Sequence, residues 1–494
     1  MTQLVASLVE KTVDSLAESS RAAFQAGADI VEVRLDHIEG LSEQTVEEAR
    51  KAVLGPAIAT LRSASEGGRS RLGSRGREEM LRLIANAHFE YVDLELERDG
   101  RLLRELMEEE PRPASIASRH FSRPATRSAV ENALRRACRA ADIGKVAMPC
   151  DHAAHALMLA QIGLSHSKAN KRFSLIGMGT HGQLTRVCAK EIGSELMYAC
   201  LPGKEAAPGQ LDLASQRKLL DDRKLLLGLI GHPVSHSVSK PMHEAAMAKA
   251  SLRGAYVPLD IPPGKLDKLV LRTLRRLGFT GLNVTIPHKA WAYKNCTRRG
   301  PAAEATGAVN TLIFKPRGIV GENTDVYGFS RLLEGKKDVT HWTKVLILGA
   351  GGAARAVAYV LHERGAKLTV TDKDMGRARR LARDFGARAI TPGELRRRDR
   401  THYDLIVNCT PMGMKGVSDE SPIDGRFFDQ SNVLIDIVFN PPVTATMQLA
   451  ESRGAKAYGG LEMLVQQGAE SFRLWTGIEP DVDVMREAAR RALT

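Results

Sequence analysis

The first 220 residues repeat one pattern, in which a short apolar run is followed by a longer amphipathic stretch. Eight such runs are present: Gln3–Leu8, Ile30–Leu35, Ala57–Leu61, Tyr91–Leu96, Ala114–Ser118, Ile143–Ala147, Phe173–Met178 and Met197–Leu201. Helix-like segments such as Val46–Val53, Arg77–Ala87 and Val130–Ala140 separate most of them. Eight β-α repeats over this length predict a compact (β/α)8 barrel, an α/β fold, for residues 1–220. A doubly wound sheet is the structural alternative, because periodicity alone does not exclude it.

The remaining residues predict two further α/β units. At 494 residues the chain has room for about three domains. A new strand pattern at Leu225–Gly231 opens a second α/β region, which we assign to residues 221–324. The buried-strand pattern Lys344–Leu348 belongs to a third unit, residues 325–460. Residues 461–494 read as helices, and we expect them to complete the second unit.

The composition restricts the class of protein. Hydrophobic residues make up 43% and charged residues 26%, which is typical of a soluble globular chain. No apolar run approaches the roughly 20 residues that cross a bilayer, and the N-terminus lacks the pattern of a signal peptide. We therefore predict a cytoplasmic protein without membrane contact. The six cysteines include no Cys-x-x-Cys pair, which predicts reduced thiols and no metal site.

The net charge of +13 leaves nucleic-acid binding as one interpretation. The positive residues are, however, spread along helical patterns. There is neither an aromatic stacking motif nor a helix-turn-helix pattern. We therefore predict a solvated basic surface that favours anionic small-molecule substrates, with no nucleic-acid partner.

Polar residues concentrate on the predicted barrel strands and just after them, where catalysis in such barrels takes place. They are Glu32, Arg34, Arg62, Glu95, His120, Lys145, Arg186 and Gln210. Lys145 is the most informative, because it interrupts the apolar run Asp142–Met148. Burial disfavours the ammonium form, so we predict a lowered pKa and an amine able to attack a ketone. A lysine whose head reaches solvent at the barrel rim is the alternative.

Four motifs of the first half resemble the type I 3-dehydroquinate dehydratases, in the order of that family and over about residues 1–215. They are Tyr91-Val92-Asp93-Leu94-Glu95-Leu96, Arg119-His120-Phe121, Lys145-Val146-Ala147-Met148-Pro149 and Ala207-Pro208-Gly209-Gln210. Each motif is modest alone, but the four together are specific. The resemblance implies metal-free dehydration of 3-dehydroquinate to 3-dehydroshikimate.

The resemblance also implies a role for each residue. Lys145 forms a Schiff base with the substrate ketone, and the iminium acidifies the adjacent C–H. His120 removes that proton and later helps the hydroxyl leave, while Glu95 orients and tunes His120. Arg186 holds the substrate carboxylate through a forked contact. The other residues grip the hydroxyls and close the site: Glu32, Arg34, Arg62 and Gln210.

Two points qualify these roles. In an alternative interpretation, Glu32 and Arg34 form a structural ion pair inside the barrel. Ala206 stands where many family members have serine, so we expect the loop before Gln210 to close less tightly.

Short polar motifs precede the third unit. His236-Ser237-Val238-Ser239 lies just before a helix predicted to begin near Pro241, and its hydroxyls suit a polyol or carboxylate ligand. Helix capping by serine is the alternative. Asn283–Lys289 reads as a strand that runs into a turn with a lysine at its exit. Gly307–Thr311 and Gly321–Asp325 add amide and carboxylate groups.

The third unit contains the pattern of a dinucleotide-binding turn. Gly349-Ala350-Gly351-Gly352-Ala353-Ala354 follows the strand Lys344–Leu348 and precedes the apolar helix Ala356–Leu361. Glycine lets the backbone approach a pyrophosphate, and the helix N-terminus supplies oriented N–H groups. This context predicts a Rossmann domain that binds a dinucleotide.

Together these motifs strongly resemble shikimate dehydrogenase over about residues 225–494, with further matches at Asn408–Met414 and Gly459–Gln467. The resemblance implies that Lys289 and Asp325 are the catalytic pair. It implies that five residues bind the substrate carboxylate and hydroxyls: Ser237, Ser239, Thr285, Asn310 and Gln467. It also implies that the loop containing Asn408, Met412 and Gly413 borders the nicotinamide. Lys240 replaces a proline common in relatives, which alters loop stiffness more than chemistry.

The resemblance implies NADP as the cofactor, since NADP is the usual cofactor of the family. Relatives that use NADP commonly carry an arginine after the second strand, but this chain has Asp372 there. An acidic residue at that strand end favours a free ribose hydroxyl, and therefore NAD. Lys373 and Arg377 follow and are suitable for holding a phosphate.

The sequence therefore predicts a bifunctional enzyme that dehydrates 3-dehydroquinate and then reduces 3-dehydroshikimate to shikimate, in chorismate and aromatic amino acid biosynthesis. A quinate/shikimate dehydrogenase working oxidatively with NAD is the enzymatic alternative. A first barrel that has become a scaffold is the non-enzymatic one, although Lys145, His120 and Glu95 argue against it. The sequence leaves open the oligomeric state and any transfer of the intermediate between the sites.

Overall fold

The computed structural model describes residues 2–167, 171–220, 224–397 and 402–493. The first eight strands are β1 Gln3–Leu8, β2 Ile30–Arg34, β3 Ala57–Thr60, β4 Tyr91–Glu95, β5 Ala114–His120, β6 Ile143–Pro149, β7 Phe173–Met178 and β8 Leu196–Ala199. They form one parallel sheet in the order β7-β6-β5-β4-β3-β2-β1-β8. The predicted barrel is confirmed, and the doubly wound alternative is wrong for this half.

Serine side chains bridge the seam between β7 and β8. The hydroxyl of Ser174 accepts the N–H of Leu196 at 2.8 Å, and that of Ser194 accepts the N–H of Leu175 at 3.1 Å. These contacts satisfy backbone groups that would otherwise lie on an open sheet edge.

The inward-facing residues of the barrel change from apolar to polar along five of the strands, β1, β2, β3, β5 and β6. Val5, Ile30, Ile58, Ile116 and Ile143 belong to one apolar cluster. Since side chains alternate with a period of two, the residues two positions further along face the same interior. Those residues are Ser7, Glu32, Thr60, Ser118 and Lys145, and all are buried. The barrel therefore has a closed apolar base and a polar interior above it.

Nine helices of the described first half flank or follow these strands. They are α1 Val13–Gln25, α2 Glu43–Ala52, α3 Ser74–Asn86, α4 Gly100–Glu108, α5 Arg127–Ala140, α6 Ala153–His166, α7 Gln183–Val187, α8 Ala189–Ile192 and α9 Leu213–Lys218. Four begin at a side-chain cap, provided by Thr12, Ser42, Thr126 and Asp212. Their apolar faces pack on the outer side of the strands. The strand β5 extends to His120, so this residue lies on a strand and not in the loop after it.

The second sheet has the order β10-β9-β11-β13-β14-β12 and is mixed, with antiparallel pairing of β13 to both of its neighbours. Its strands are β9 Leu225–Gly231, β10 Gly254–Asp260, β11 Phe279–Val284, β12 Arg298–Arg299, β13 Thr311–Lys315 and β14 Gly318–Glu322. The helices along this stretch are α10 Ser239–Lys249, α11 Lys268–Arg276, α12 Lys289–Asn295, α13 Pro301–Thr306 and α14 Thr324–Leu333.

The third sheet is parallel, in the order β17-β16-β15-β18-β19-β20. Its strands are β15 Lys344–Leu348, β16 Lys367–Thr371, β17 Arg388–Ala389, β18 Leu405–Asn408, β19 Val433–Asp436 and β20 Lys456–Gly459. The remaining helices are α15 Gly352–Glu363, α16 Met375–Asp384, α17 Pro392–Arg397, α18 Ala445–Ser452, α19 Leu461–Thr476 and α20 Val482–Arg491. This is the predicted Rossmann unit, and the carboxyl ends of β15 and β18 meet beside its glycine-rich turn.

The contacts divide the chain into two compact units. One contains residues 1–225 and 253–279, and the other contains residues 226–252 and 280–494. The predicted boundary at residues 220 and 221 lies where residues 221–223 fall outside the described residues. Among the residues described, no helix combines the length and the apolar character needed to span a membrane.

A histidine of the second unit is buried among aromatic rings. His243 on α10 is 0% exposed and packs near the rings of Phe472 and Trp475, with centroid distances of 6.4 and 5.3 Å. Burial lowers the pKa of His243 to about 3. The folded chain therefore holds this imidazole neutral well below the pH at which an exposed histidine is protonated.

We expect the second unit to lose stability as the pH falls. Because the folded pKa of His243 lies below that of the unfolded chain, its contribution is complete above pH 6.5 and is lost progressively from pH 6.5 towards pH 3. Between pH 6.5 and 4.5 the loss amounts to about 2–3 kcal/mol. Thermal unfolding of the unsubstituted chain and of His243→Gln at both pH values isolates this contribution. Equal pH slopes for the two proteins would contradict it.

Candidate active sites

The polar interior of the barrel is centred on Lys145, which is 3% exposed. Its Nζ lies 3.0 Å from Asp93 Oδ2 and 3.4 Å from Glu32 Oε1. The ring of Tyr198 faces the same nitrogen at 4.0 Å from the ring centroid. The alternative in which the lysine head reaches solvent at the rim is therefore wrong.

This environment corrects the predicted pKa of Lys145. Burial alone lowers the pKa, but the negative charges of Asp93 and Glu32 outweigh burial, and the pKa of Lys145 is raised. Asp93 shows the complementary effect, since the charges of Arg62 and Lys145 overcome its burial and lower its pKa. The raised pKa favours the ammonium form of Lys145, and this form must lose a proton before it can attack a carbonyl carbon.

Glu66, and not Glu95, contacts His120. Glu66 Oε2 lies 3.1 Å from His120 Nδ1 and accepts the backbone N–H of His120 at 3.0 Å. Burial, followed by the charges of Arg62 and Lys145, lowers the pKa of His120 well below its usual value. Burial also raises the pKa of Glu66 to about 7. His120 is thus neutral near pH 7, and a Nδ1–H directed at Glu66 leaves Nε2 free to accept a proton.

Glu95 makes other contacts than the predicted one with His120. Its carboxylate accepts the N–H and the hydroxyl of Ser63, both at 2.7 Å, and it lies 3.5 Å from the guanidinium of Arg77. Glu95 therefore anchors the loop after β3, and this loop carries Glu66 into the site. In the sequence, Glu66 stands four residues after Arg62 in the same polar loop, a position that does not by itself indicate a contact with His120.

Arg62 and Arg34 are held by carboxylates. Arg62 is buried and donates to Asp93 Oδ1 and to Ser118 Oγ, both at 2.8 Å. Arg34 forms a forked pair with Asp36 at 2.9 and 2.8 Å. The alternative ion pair between Glu32 and Arg34 does not account for these contacts, since Glu32 accepts hydrogen bonds from Ser7, Thr60 and Lys145.

Arg186 differs from these two paired arginines. It is 4% exposed, and its Nη1 donates to the carbonyl of Tyr198 at 3.2 Å. Its Nε has no hydrogen-bond partner, and no carboxylate within the described ranges forms an ion pair with it. Burial lowers the pKa of Arg186 to about 10. A buried guanidinium without a carboxylate is a strong attractor for an anionic group of a ligand.

Gln210 closes the loop after β8. Its Oε1 accepts the N–H groups of Ala206 and Ala207 at 2.8 and 3.2 Å, and its Nε2 reaches Ser7 Oγ at 3.4 Å. A Cβ on Gly209, which has a φ of +75°, would lie 2.5 Å from a backbone oxygen. Glycine is therefore required for the close packing of this loop, which Gln210 ties to the barrel interior.

A second set of polar residues meets in the other unit. Lys289 Nζ contacts Asp325 Oδ2, and Asn310 Nδ2 donates to Asp325 Oδ1 at 2.8 Å. The backbone N–H of Thr324 donates to Asn310 Oδ1 at 2.7 Å, which fixes the orientation of this amide. Gln467 Oε1 accepts from Asn310 at 3.2 Å. Four of the predicted residues therefore form one hydrogen-bonded cluster.

The other predicted substrate residues lie at the ends of elements. Ser237 Oγ donates to Ser239 Oγ at 3.0 Å and accepts the Ser239 N–H at 3.2 Å, where α10 begins. The N-cap residue of α10 is Val238, and it makes no side-chain cap hydrogen bond, so the capping alternative is not supported for Ser237. Thr285 is half-buried just after β11, and its methyl group faces Gly231, where an added Cβ would lie 2.3 Å away.

The glycine-rich turn has the geometry that a dinucleotide requires. Gly349 has a φ of +98°, and a Cβ there would lie 3.1 Å from the backbone of Cys409. A Cβ on Gly351 would meet no atom within 4 Å, while one on Gly352 would lie 3.2 Å from Lys289 Cδ. The turn is therefore open to a ligand at Gly351, at the N-terminus of α15, and at Gly352 it adjoins Lys289 of the predicted catalytic pair. Ala350 and Ala353 complete the predicted fingerprint.

Asp372 supports the same turn. Its Oδ2 accepts the N–H of Ala350 at 2.6 Å, and its Oδ1 accepts the N–H of Asp374 at 2.7 Å. Lys373 and Arg377 are exposed beyond it, and Arg377 lies 3.2 Å from Asp374. By these contacts, the Asp372 carboxylate lies closer to the glycine-rich turn than the charged groups of Lys373 and Arg377 do.

The loop after β18 is held by its own amide. Asn408 Nδ2 donates to Asp436 Oδ1 at 2.9 Å and to the carbonyl of Met412 at 3.2 Å. Gly413 follows with a φ of +86°. Asn408 therefore shapes the loop that was predicted to border the nicotinamide.

Comparison with known proteins identifies both halves. The profile of the type I 3-dehydroquinase family matches residues 4–226. Profiles of the shikimate dehydrogenase substrate-binding domain, of shikimate/quinate 5-dehydrogenase and of the shikimate 5′-dehydrogenase C-terminal domain match residues 229–312, 331–453 and 460–490.

Individual relatives agree with these profiles. An NADP(+) shikimate dehydrogenase of Methanopyrus kandleri is 42% identical over 54% of this chain and 96% of its own length. The chloroplastic bifunctional 3-dehydroquinate dehydratase/shikimate dehydrogenase of Arabidopsis thaliana is 29% identical over 96% of this chain and 82% of its own. A crystal structure of shikimate dehydrogenase in complex with NADP+ has a TM-score of 0.51 and 34% identity, and covers 56% of this chain and 97% of its own.

The two sites and these matches define a dehydratase barrel followed by a dinucleotide-dependent dehydrogenase. The chain belongs to the shikimate dehydrogenase family and, with its type I 3-dehydroquinase half, is a bifunctional 3-dehydroquinate dehydratase/shikimate dehydrogenase. The predicted fold class and the predicted pair of activities are thereby confirmed.

Proposed function

We propose that the barrel dehydrates 3-dehydroquinate through a Schiff base on Lys145. The observation that carries this proposal is a buried lysine surrounded by Asp93 and Glu32, in the same interior as the neutral His120. The amine of Lys145 adds to the ketone, and loss of water gives the iminium. Since Lys145 is held as an ammonium ion, the first step is the loss of one proton from Nζ.

His120 then carries the proton steps in this proposal. Its Nε2 accepts the proton from the carbon next to the iminium and returns it to the departing β-hydroxyl, which leaves as water. Glu66 holds Nδ1 and compensates the charge of the imidazolium. Arg186 binds the substrate carboxylate, which supplies the anionic partner that this buried guanidinium otherwise lacks. Arg34 and Gln210 complete the contacts to substrate hydroxyls at the mouth.

In the second half, we propose that Lys289 and Asp325 perform the acid–base step. The glycine-rich turn fits a dinucleotide, and the nicotinamide supplies the hydride when bound. Lys289 gives a proton to the carbonyl oxygen of 3-dehydroshikimate, and Asp325 orients Lys289 and the resulting hydroxyl. Asn310 and Gln467 bind substrate hydroxyls, and Ser237, Ser239 and Thr285 bind its carboxylate side.

A coupled assay tests the assignment of both halves. Purified full-length protein receives 3-dehydroquinate with NADPH or NADH, and loss of the reduced nicotinamide is followed. We expect oxidation with dehydroquinate as the sole organic substrate. Activity with 3-dehydroshikimate alone would mean that the barrel is a scaffold, and no activity with either substrate would contradict the dehydrogenase roles. Quinate with NAD, assayed against shikimate with NAD, tests the oxidative alternative.

The predicted cytoplasmic location stays a prediction, and cell fractionation with a marker enzyme of the same compartment tests it. The number of subunits is measured by light scattering of the purified full-length chain.

Glu66→Gln is expected to slow dehydration by roughly 10- to 100-fold in kcat, since a hydrogen bond to a charged group is worth about 1.5–3 kcal/mol. Glu95→Gln is the matched control, because both substitutions remove one buried carboxylate charge. It is expected to lower the melting temperature more and kcat less, since Glu95 supports Arg77 and the loop after β3. The pH profile of kcat and thermal unfolding separate the two. A larger loss of kcat in Glu95→Gln would mean that Glu95, as the sequence motif implies, is the residue that tunes His120.

Asp372 is proposed to shift cofactor preference from NADPH towards NADH. A carboxylate beside the turn repels a ribose 2′-phosphate, whereas it accepts a hydrogen bond from a ribose hydroxyl. Asp372→Asn keeps the acceptor for Ala350 and removes the charge. We expect the ratio of kcat/KM for NADPH over that for NADH to rise by about tenfold or more, as removal of one close like charge implies. Asp374→Asn is the control, and an unchanged ratio for Asp372→Asn would contradict the proposal.

A further inference from the structure

Tyr198 adjoins Lys145, although none of the sequence motifs includes it. It enters the barrel interior from β8 and packs on the apolar cluster at the base. Its ring centroid lies 4.0 Å from Lys145 Nζ, and the residue is 5% exposed. The hydroxyl is buried beside the lysine, and no acceptor among the described residues takes its O–H proton. This is a polar group with an unused donor next to the reacting amine.

Lys145 Nζ has fewer N–H donors after the proposed Schiff base has formed than before. The positive charge of the ammonium ion is lost with the first proton and is restored in the iminium. The ammonium ion has three N–H groups, and two of them point at Asp93 Oδ2 and Glu32 Oε1, 3.0 and 3.4 Å away. The iminium keeps its charge but has a single N–H. One carboxylate therefore loses its lysine donor when the Schiff base forms.

Glu32 is the carboxylate that the lysine holds less closely. Its contact with Lys145 is the longer of the two, and its remaining donors are Ser7 at 2.8 Å and Thr60 at 3.1 Å. Asp93, in contrast, is also paired with Arg62 at 2.8 Å. Glu32 Oε1 lies 3.4 Å and the Tyr198 ring centroid 4.0 Å from the same Lys145 Nζ, so the carboxylate and the tyrosine adjoin one amine.

We propose that Tyr198 is a positioning residue of the dehydratase: its ring supports the positive charge on Lys145 Nζ, and its hydroxyl replaces the lysine as donor to Glu32 when the Schiff base forms. The proposal rests on the proposed Schiff-base role of Lys145. The ring contributes in each cationic state, because attraction between a cation and an aromatic face needs no N–H. The hydroxyl contributes only after Glu32 has lost its lysine donor. An unpaired buried donor is unfavourable before that point, so its presence is explained by a later state.

Borohydride trapping on the full-length chain separates this proposal from the one beneath it. Unsubstituted protein with 3-dehydroshikimate is expected to give a reduced adduct on the Lys145 peptide by mass spectrometry. Absence of that adduct would overturn the Schiff-base role and, with it, the role of Tyr198. Presence of the adduct in the parent allows the Tyr198 variants to test the second proposal alone.

Tyr198→Phe keeps the ring and removes the hydroxyl, whereas Tyr198→Leu removes both. We expect kcat for dehydration and the trapped fraction to fall by about tenfold in Tyr198→Phe, and further in Tyr198→Leu, with KM less affected. The melting temperature of Tyr198→Phe is expected to equal or exceed that of the parent, because an unpaired buried hydroxyl is gone. A residue with a purely structural role would not combine slower chemistry with unchanged or higher stability.

Tyr403→Phe is the matched control. Tyr403 is 2% exposed in the core of the nucleotide-binding domain, and its hydroxyl also lacks a partner among the described residues. It is expected to leave dehydration and trapping unchanged. Parent values of kcat and trapped fraction in Tyr198→Phe would overturn the proposal, as would equal losses in Tyr198→Phe and Tyr403→Phe.

Discussion

Lys145→Met is expected to slow dehydration by at least about 10⁴-fold in kcat, as removal of a covalent nucleophile does in other enzymes. Methionine fills a similar volume but provides no nitrogen for the Schiff base. Dehydrogenase activity with added 3-dehydroshikimate is expected to stay at the parent level, because Lys289, Asp325 and Asn310 make their own hydrogen-bonded cluster.

The same substitution leaves Glu32 and Asp93 with less positive charge nearby, so some loss of stability is expected as well. Breaking a buried ion pair by removing one partner typically costs about 3–5 kcal/mol. Lys145→Arg keeps the charge and is therefore the control for folding. We expect it to be as inactive as Lys145→Met, with a smaller fall in melting temperature. Dehydratase activity above one hundredth of the parent in either variant would contradict the Schiff-base role of Lys145.

Lys289→Met is expected to slow the reduction of 3-dehydroshikimate by about 10²–10⁴-fold in kcat, the usual range for a lost general acid. The methionine cannot give a proton to the carbonyl oxygen, and Asp325 loses its contact with Lys289. KM is expected to change much less than kcat, since Asn310 and Gln467 remain. Dehydration is expected to continue at the parent rate.

Lys294→Met is the matched control, because Lys294 lies on the same helix and is exposed. It is expected to keep both activities. A mixture of Lys145→Met and Lys289→Met is expected to convert 3-dehydroquinate to shikimate, although each alone does not. Failure of the mixture, while each protein keeps its remaining activity, would mean that the two sites must lie in one chain to work in sequence. Loss of activity in Lys294→Met equal to that in Lys289→Met would contradict the role of Lys289.

The strand pattern was sufficient to locate the strands of both parallel sheets, although it did not by itself decide between a barrel and a doubly wound sheet in the first half. Gln3–Leu8, Phe173–Met178 and Lys344–Leu348 agree residue for residue with the structure, because local apolar runs between helical patterns determine such strands. The ends of strands were less predictable. β5 continues to His120 and β6 to Pro149, since pairing with a neighbouring strand extends each of them beyond its apolar run.

The hydrogen-bond partner of His120 was not predictable in this way. Glu95 belongs to a conspicuous motif, whereas Glu66 lies in a polar loop with no regular pattern. Only the return of that loop towards β5 brings Glu66 to within 3.1 Å of His120 Nδ1. Motifs identify residues of one strand, but a contact between a loop and a distant strand depends on how the barrel closes.

The sequence by itself determined the two folds and the pair of activities, and it predicts Lys145, Lys289 and Asp325 as the reacting residues. The strands follow from local periodicity, whereas the activities and the predicted reacting residues follow from the family resemblance that the short motifs carry. The tertiary structure alone decided the direction in which the pKa of Lys145 is shifted and the contacts that Glu95 makes. The apolar run around Lys145 predicted a lowered pKa, but strands β2 and β4 place Glu32 and Asp93 beside its amine. Electrostatic interaction depends on distance in space and not on separation along the chain, which is why these charges reversed the expected shift.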